Sequence, residues 1–181
     1  MKYRSVNEAE HFNYHDAILM CTYQDNSDLI MEFDGICVEP SSSQNSGSKA
    51  MRTEFLRMRF LDGRLTGGKI YGCTARNPDG TEEEVCKERD FTDRDLQEVM
   101  EHLCSESNFW VYYGCYTEGQ KARTSFSFDI DLKTFQGIFD AVSNLEIFCT
   151  GIVMEWDSYC GLAWYEPRQK HVLEKGGQKN G

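Results

Sequence analysis

Long apolar stretches are missing from this 181-residue sequence. No apolar run of the kind found in signal peptides or membrane anchors occurs in its opening segment, MKYRSVNEAEHFNY. No later window contains the roughly 18 apolar residues that a membrane-spanning helix needs. We therefore expect a cytoplasmic protein that has no membrane partner.

Cysteines at metal-binding or redox spacing are also missing, although the chain has eight cysteines. All of them are far apart and no C-x-x-C occurs, which argues against a zinc ribbon and against a thioredoxin-type site. Several fall within apolar strand patterns, where a free cysteine behaves as a small hydrophobic residue. We predict structural thiols, with no metal site and no cofactor.

Basic residues are scarce relative to acidic ones. Lysine and arginine number 19 against 30 aspartates and glutamates, which gives a net charge of −11. Such a surface repels phosphate backbones, so we expect no nucleic-acid partner, whereas a basic protein partner suits it. A simpler interpretation, that the acidity only keeps the protein in solution, remains open.

The signatures of common catalytic and phosphate-binding sites do not occur. The sequence has no G-x-S-x-G, no G-x-x-x-x-G-K-[ST] and no G-x-G-x-x-G. A catalytic Cys–His pair is not tested by sequence, because such partners meet only in the fold. The sequence therefore identifies no catalytic residue and favours a protein without enzymatic activity.

Alternating apolar and polar residues dominate what the sequence does contain. In SFSFDIDL, at 125–132, bulky apolar residues alternate with serine and aspartate, which is typical of a half-buried antiparallel strand. Similar patterns recur in two groups, one before and one after a central segment. No alternation of strands with helices accompanies them, so the pattern favours antiparallel sheets.

The central segment, FTDRDLQEVMEHLCSE, has apolar residues at helical spacing. Thr92 and Asp95 resemble a capping box, with aspartate where glutamate or glutamine is usual. A helix is therefore predicted over 93–105. A second helix is predicted over 133–142, where Gly137 weakens the pattern.

These elements predict an α+β fold with predominantly antiparallel β-sheet, arranged as a sandwich or a curled sheet with the helix packed over it. We expect one globular domain over 1–166. The polar, glycine-rich tail over 167–181 is predicted to be flexible. The loop EPSSSQNSGSKA, at 39–50, is also expected to be mobile.

Two histidines lie four residues apart in EHFNYHDAILMCTYQD. On a helix, His11 and His15 would share a face and could bind a metal ion. The alternation after Asp16 predicts a strand, which removes that reason for the spacing. We predict that His15 and Asp16 form local hydrogen bonds that anchor the start of the first long strand.

Aromatic residues are concentrated in NFWVYYGCY and WDSYCGLAWYE. Strict alternation places Phe109, Val111, Tyr113 and Cys115 on one face of the first of these strands. A strand that is apolar on both faces is usually central and buried. The alternative is a binding surface, because tryptophan and tyrosine are enriched in interface hot spots. The candidate binding residues are Trp110, Tyr112, Tyr116, Glu155, Trp156, Asp157 and Tyr159.

Segments at the two ends of the chain carry a resemblance. FNYHDAILM, DLIMEFDG and GIVMEWDSYCGLAWYE are similar to small uncharacterised bacterial proteins that open with a His-Asp-aliphatic strand. Some of those proteins resemble the immunity proteins of polymorphic toxin systems. The resemblance implies a cytoplasmic protein that binds another protein and has no activity of its own.

Two hypotheses follow. The first is a non-enzymatic, immunity-like protein-binding module whose acidic surface meets a basic partner. The second is a small-molecule-binding or hydrolytic β-rich domain with a pocket lined by Trp110, Trp156 and Tyr159. A deep pocket that encloses two or more carboxylates would favour the second hypothesis, and a flat acidic face would favour the first. The oligomeric state is not indicated by the sequence.

Overall fold

The computed structural model describes residues 1–118, 124–132 and 142–167. Sixteen strands, one α-helix and one 3-10 turn (Ala9–His11) lie within these ranges. The strands are β1 (Tyr3–Val6), β2 (Phe12–Asn13), β3 (Ala17–Asp25), β4 (Asp28–Asp34), β5 (Cys37–Val38), β6 (Met51–Thr53), β7 (Leu56–Leu61), β8 (Arg64–Ile70), β9 (Cys73–Arg76), β10 (Glu82–Cys86), β11 (Arg89–Asp90), β12 (Phe109–Glu118), β13 (Thr124–Asp131), β14 (Val142–Cys149), β15 (Gly151–Trp156) and β16 (Tyr159–Leu162). The helix, α1, is Asp93–Ser105.

Ten strands form one antiparallel sheet in the order β1–β15–β7–β4–β3–β12–β13–β14–β8–β11. The sheet curls over on itself, because rings from strands that are not neighbours meet inside it. Phe60 of β7 lies 5.9 Å from Phe126 of β13, and Phe33 of β4 lies 5.4 Å from Phe128, between ring centroids. These rings are fully or almost fully buried and form the centre of the core. The predicted α+β fold with a curled antiparallel sheet is confirmed.

The predicted helix over 93–105 is also confirmed, with the expected capping box. The Asp95 amide donates to the Thr92 hydroxyl, and the Asp95 carboxylate accepts from the Thr92 amide at 2.8 Å. Arg89 donates to both oxygens of the same carboxylate at 2.7 and 3.0 Å. These bonds, with that to Arg89 the largest contribution, hold the pKa of Asp95 well below its usual value although burial opposes them. The helix packs against β3 and β8 and buries Val99 and Leu103.

A smaller sheet of four strands lies beside the large one, in the order β16–β6–β5–β2. The serine-rich loop that follows β5 is predicted to be mobile, but in the structure several hydrogen bonds hold it in place. Asn45 is buried and donates to the carbonyl oxygens of Val38 and Lys49 at 3.0 and 2.9 Å. The Glu8 carboxylate accepts from the Ser43 hydroxyl at 2.9 Å. Polar side chains that suggested a solvated loop therefore satisfy one another and the backbone.

Two predicted segments lie mostly outside the described residues. The second helix was predicted over 133–142, and only Val142 of that range is described, as the first residue of β14. The tail was predicted over 167–181, and only Pro167 of it is described; its carbonyl oxygen accepts from the Lys49 ammonium at 3.2 Å. Within the described ranges, no helix is both long and apolar enough to cross a membrane.

The strict alternation predicted along β12 is wrong beyond Val111. The register passes from Val111 opposite Ile130 to Tyr113 opposite Asp129, so one extra residue is inserted at Tyr112. Such a β-bulge reverses which side chains face the core. Val111 is fully buried, whereas Tyr113 is 57% exposed and no longer shares its face. The bulge thus turns an aromatic ring that was assigned to the apolar face outward.

Candidate functional site

An open cleft of about 570 Å³ lies among the described residues. It lies where β2 and the turn after it meet β12 and the segment that follows β16. The residues lining this cleft are Glu10, Phe12, Asn13, Tyr14, His15, Glu39, Tyr113, Gly114, Trp164 and Tyr165.

One rim of the cleft is the turn between β2 and β3. The Asn13 side-chain oxygen accepts from the His15 amide at 2.9 Å, which closes an Asx turn. Asp16 adopts a φ of 64°, in the left-handed region that aspartate tolerates better than most residues. Its amide donates to the Val111 carbonyl oxygen at 3.1 Å and ties the turn to β12. His15 is held exposed at the rim, with its Nδ1 3.1 Å from Asp16 Oδ2.

The floor of the cleft is part of the core. Tyr14 is buried, its hydroxyl donates to the Ala9 carbonyl oxygen at 2.9 Å, and its ring meets Phe126 edge-on at 5.1 Å. Burial, with a smaller effect from Glu10, raises the pKa of this phenol well above its usual value. Gly114 passes directly against the ring, since a Cβ at this position would lie 2.7 Å from Tyr14 ring carbons. The close approach of β12 therefore requires glycine at 114.

The opposite wall consists of two aromatic rings after β16. Trp164 and Tyr165 are perpendicular, with centroids 5.1 Å apart, and the His15 ring lies 5.7 Å from that of Trp164. The segment is fixed to the small sheet, because the Ala163 amide donates to the Ala50 carbonyl oxygen at 2.9 Å. Trp164 nevertheless remains 55% exposed. The wall is thus a firmly placed aromatic surface that faces water.

Two carboxylates give the cleft its charge. Glu39 Oε1 accepts from the Tyr165 hydroxyl, and the Glu39 amide donates to the His11 carbonyl oxygen at 2.9 Å. Burial and the bond to Glu39 raise the pKa of Tyr165 far above its usual range, so the phenol stays protonated. Glu10 supplies the second carboxylate. None of the ten lining residues is lysine or arginine, so the cleft is suited to a cation.

The structure does not gather the candidate binding residues predicted from sequence into one site. Trp156 has no exposed surface; it stacks on Tyr3 at 5.4 Å and belongs to the core. Tyr159 is half-buried, donates to the Gln44 carbonyl oxygen at 3.0 Å, and has a pKa that burial raises to about 12. Trp110, by contrast, is 40% exposed on β12. The pocket of Trp110, Trp156 and Tyr159 that the second hypothesis required is therefore not formed.

The remaining candidates are equally dispersed. Glu155 lies on the outer face of the large sheet, 3.6 Å from the Arg4 guanidinium. Asp157 is exposed in the turn before β16 and accepts from the Lys2 amide at 3.0 Å. Tyr112 is 40% exposed at the bulge of β12. Tyr116 pairs with Phe126 through the backbone, and its side chain lies outside the described part of the structure.

The residues that do come together carry little signal in the sequence. Glu10 and Glu39 sit in short polar segments that look like solvated surface, and Tyr113 was assigned to the wrong face. Trp164 and Tyr165 belong to a motif noted for its aromatics, but they follow the end of a strand and matched no alternation. Their signal is two adjacent large aromatics outside a strand, which remain exposed.

The described residues contain no group of three or more histidine, cysteine, aspartate or glutamate side chains arranged to hold a metal ion. Comparisons of the chain with protein-family models, with curated protein sequences and with solved structures gave no match.

Proposed function

We propose that this protein is a non-enzymatic binding module that captures a basic segment of another protein in the cleft. One observation carries the proposal: two carboxylates and three exposed aromatic rings line a cavity that contains no lysine or arginine of its own. Carboxylates attract ammonium and guanidinium groups, and aromatic faces bind the same cations. The net charge of −11 adds long-range attraction for a basic partner.

The small-molecule hypothesis draws some support from the same cleft. Its volume of about 570 Å³ is within the range of ligand pockets, and it encloses two carboxylates. However, ligand pockets bury most of the surface of the bound molecule. Trp164 and Tyr113 are 55% and 57% exposed, so a small ligand against them would remain largely in water. A protein partner would cover these rings, and we therefore favour it.

A hydrolytic form of that hypothesis would depend on His15, whose Nδ1 lies beside the Asp16 carboxylate. The ten lining residues that the structure describes include no serine, threonine or cysteine that could act as a nucleophile. His15 would have to activate water directly. The tilted contact of its ring with Trp164, at 5.7 Å between centroids, supports the simpler role of positioning that ring. The immunity-like character is supported by the resemblance in the strand that begins after His15 and Asp16.

Binding of the full chain to a defined set of short peptides tests the proposal. The set contains basic, neutral and acidic sequences of equal length, and affinity is measured by fluorescence anisotropy. We expect the basic peptides to bind, and Trp164→Ala or Glu39→Gln to weaken them about tenfold or more. Trp110→Ala and Glu83→Gln are the matched controls, since both residues are exposed outside the cleft.

Several outcomes would overturn the proposal. Basic and acidic peptides could bind equally, or no basic peptide could bind at millimolar concentration. The control variants could also weaken binding as much as the cleft variants do. Any of these results would return the small-molecule hypothesis to first place.

A further inference from the structure

We infer that the anchor residue captured by the cleft is an arginine, whose guanidinium stacks on Trp164 and donates to Glu39. The inference rests on the proposed function and adds the chemical identity of the side chain that enters. Lysine carries the same charge, so the distinction depends on the shape and fixation of the groups that line the cleft.

Glu39 is held in place before any partner arrives. Its backbone amide is bonded to the His11 carbonyl oxygen, and its Oε1 accepts from Tyr165. Glu39 Oε2 has no donor among the described residues. A fixed carboxylate with one oxygen available is a directional acceptor, and such preorganisation favours a rigid donor over a flexible one.

Trp164 is fixed as well. His15 packs against one part of its ring at 5.7 Å and Tyr165 meets it at a right angle, yet more than half of Trp164 is exposed. The His15 ring is itself oriented by Asp16, at 3.1 Å. A guanidinium is planar and can lie flat on an indole while its N–H groups point sideways to a carboxylate. A lysine ammonium has a tetrahedral set of donors and lacks this match.

Hydration points the same way. A cation that lies on the Trp164 ring and against Glu39 loses part of its water, so a cation that loses its hydration easily binds there best. A guanidinium is more weakly hydrated than an ammonium and has five N–H donors. Glu10 and Glu39 both line the cleft. Their carboxylates together provide more acceptors than one ammonium is shaped to use.

Blocked single residues separate these chemistries. The probes are the N-acetyl methylamides of arginine, lysine and citrulline, and citrulline keeps the shape of arginine without its charge. Each probe competes with the tightest basic peptide for the full-length protein. We expect the arginine probe to compete about two- to fivefold better than the lysine probe, because only the guanidinium can lie flat on the ring and donate to Glu39 at once; the difference is about the size of one exposed cation–π contact. The citrulline probe should not compete measurably.

Variants identify the source of the preference. Trp164→Leu keeps apolar bulk and should reduce the arginine preference to less than about twofold, while Trp110→Leu should leave it unchanged. Equal competition by arginine and lysine, or a preference that survives Trp164→Leu, would overturn the arginine inference alone if peptide binding still depends on Glu39. If peptide binding does not depend on Glu39 or Trp164, the proposed function itself fails.

Discussion

Acidic side chains lie both on the outer face of the large sheet near β1 and in the cleft. The two regions differ in whether a basic side chain of the protein lies beside each carboxylate. On the outer face, Arg4, Glu155, Arg57, Glu32 and Tyr23 form a row across adjacent strands, which we call the charge ladder. The Arg57 guanidinium lies 2.8 Å from Glu32, and the Tyr23 hydroxyl donates to the same carboxylate at 3.2 Å. In the cleft, Glu10 and Glu39 have no arginine or lysine beside them among the lining residues.

This difference separates charges that the fold matches within itself from charges that, under the proposed function, a partner would match. On the charge ladder, the hydrogen bond to Glu32 raises the pKa of Arg57, so Glu32 stabilises the charged guanidinium. In the cleft, the lining residues supply hydroxyl and amide donors but no lysine or arginine, and under the proposed function the partner supplies the matching positive charge. Acidic residues are therefore informative about binding where the fold leaves them without such a cation.

The largest expected effect comes from a substitution in the floor of the cleft, which is also part of the core. Gly114→Ala would place a methyl group 2.7 Å from the Tyr14 ring, in a part of the core that has no room for it. We expect a loss of about 1–3 kcal/mol in the free energy of unfolding, measured by urea denaturation, together with weaker peptide binding. Unchanged stability in the Gly114→Ala variant would show that the contact is not rigid and that the cleft has no fixed floor.

A substitution in the charge ladder should change the stability of the protein and leave peptide binding unchanged. Glu32→Gln removes the charged acceptor of Arg57 and Tyr23, and we expect the free energy of unfolding to fall by about 1 kcal/mol. Peptide affinity should not change. Glu83→Gln, on an exposed hairpin strand, is the control and should alter neither quantity. A change in peptide affinity for Glu32→Gln would mean that the two regions are coupled.

The free energy of unfolding should depend on pH through Arg59 and Asp28, a pair that lies beside the charge ladder. Burial acts to raise the pKa of Asp28, but the Asp62 amide and the Arg59 guanidinium, 2.9 Å away, lower it overall. A lowered pKa in the folded state stabilises the fold above the unfolded pKa, near about 4, and this contribution disappears as the pH falls towards the folded pKa. The stability difference between the wild type and Asp28→Asn should therefore be largest at neutral pH and shrink in acid. A stability difference that grows below about pH 4 would contradict a lowered pKa of Asp28 in the folded state.

The smallest expected effect is on the stability of cleft variants. Glu39→Gln and Trp164→Ala change exposed or half-exposed groups, so the free energy of unfolding should move by no more than about 0.5 kcal/mol while peptide binding is lost. Thermal and urea unfolding measure the first quantity and anisotropy measures the second. If Glu39→Gln were as destabilising as Glu32→Gln, Glu39 would be a structural residue and the two regions would no longer differ in this respect.

The fold was more accessible from sequence than the site because its signals are local. The capping box at Thr92 and Asp95 and the alternation in β13 follow from residues within a few positions of one another. The bulge at Tyr112 depends on pairing with β13 and leaves no local mark. The cleft is less accessible still, since Glu39 and Trp164 come to line it only after β16 has joined the small sheet that contains β5. Trp156 and Trp164 look alike in sequence, and only the fold shows which one is buried.

The walls of the cleft come from parts of the chain as far apart as His15 and Tyr165. Such a site forms only when contacts of the longest sequence separation are in place, and these are slow to form during folding. A chain still being synthesised cannot offer the cleft before residue 165 has emerged. A bound partner would in turn stabilise the completed fold over partly folded states by mass action. Partner binding would thus act as a late check on folding, reporting that β2 and β16 have reached their places.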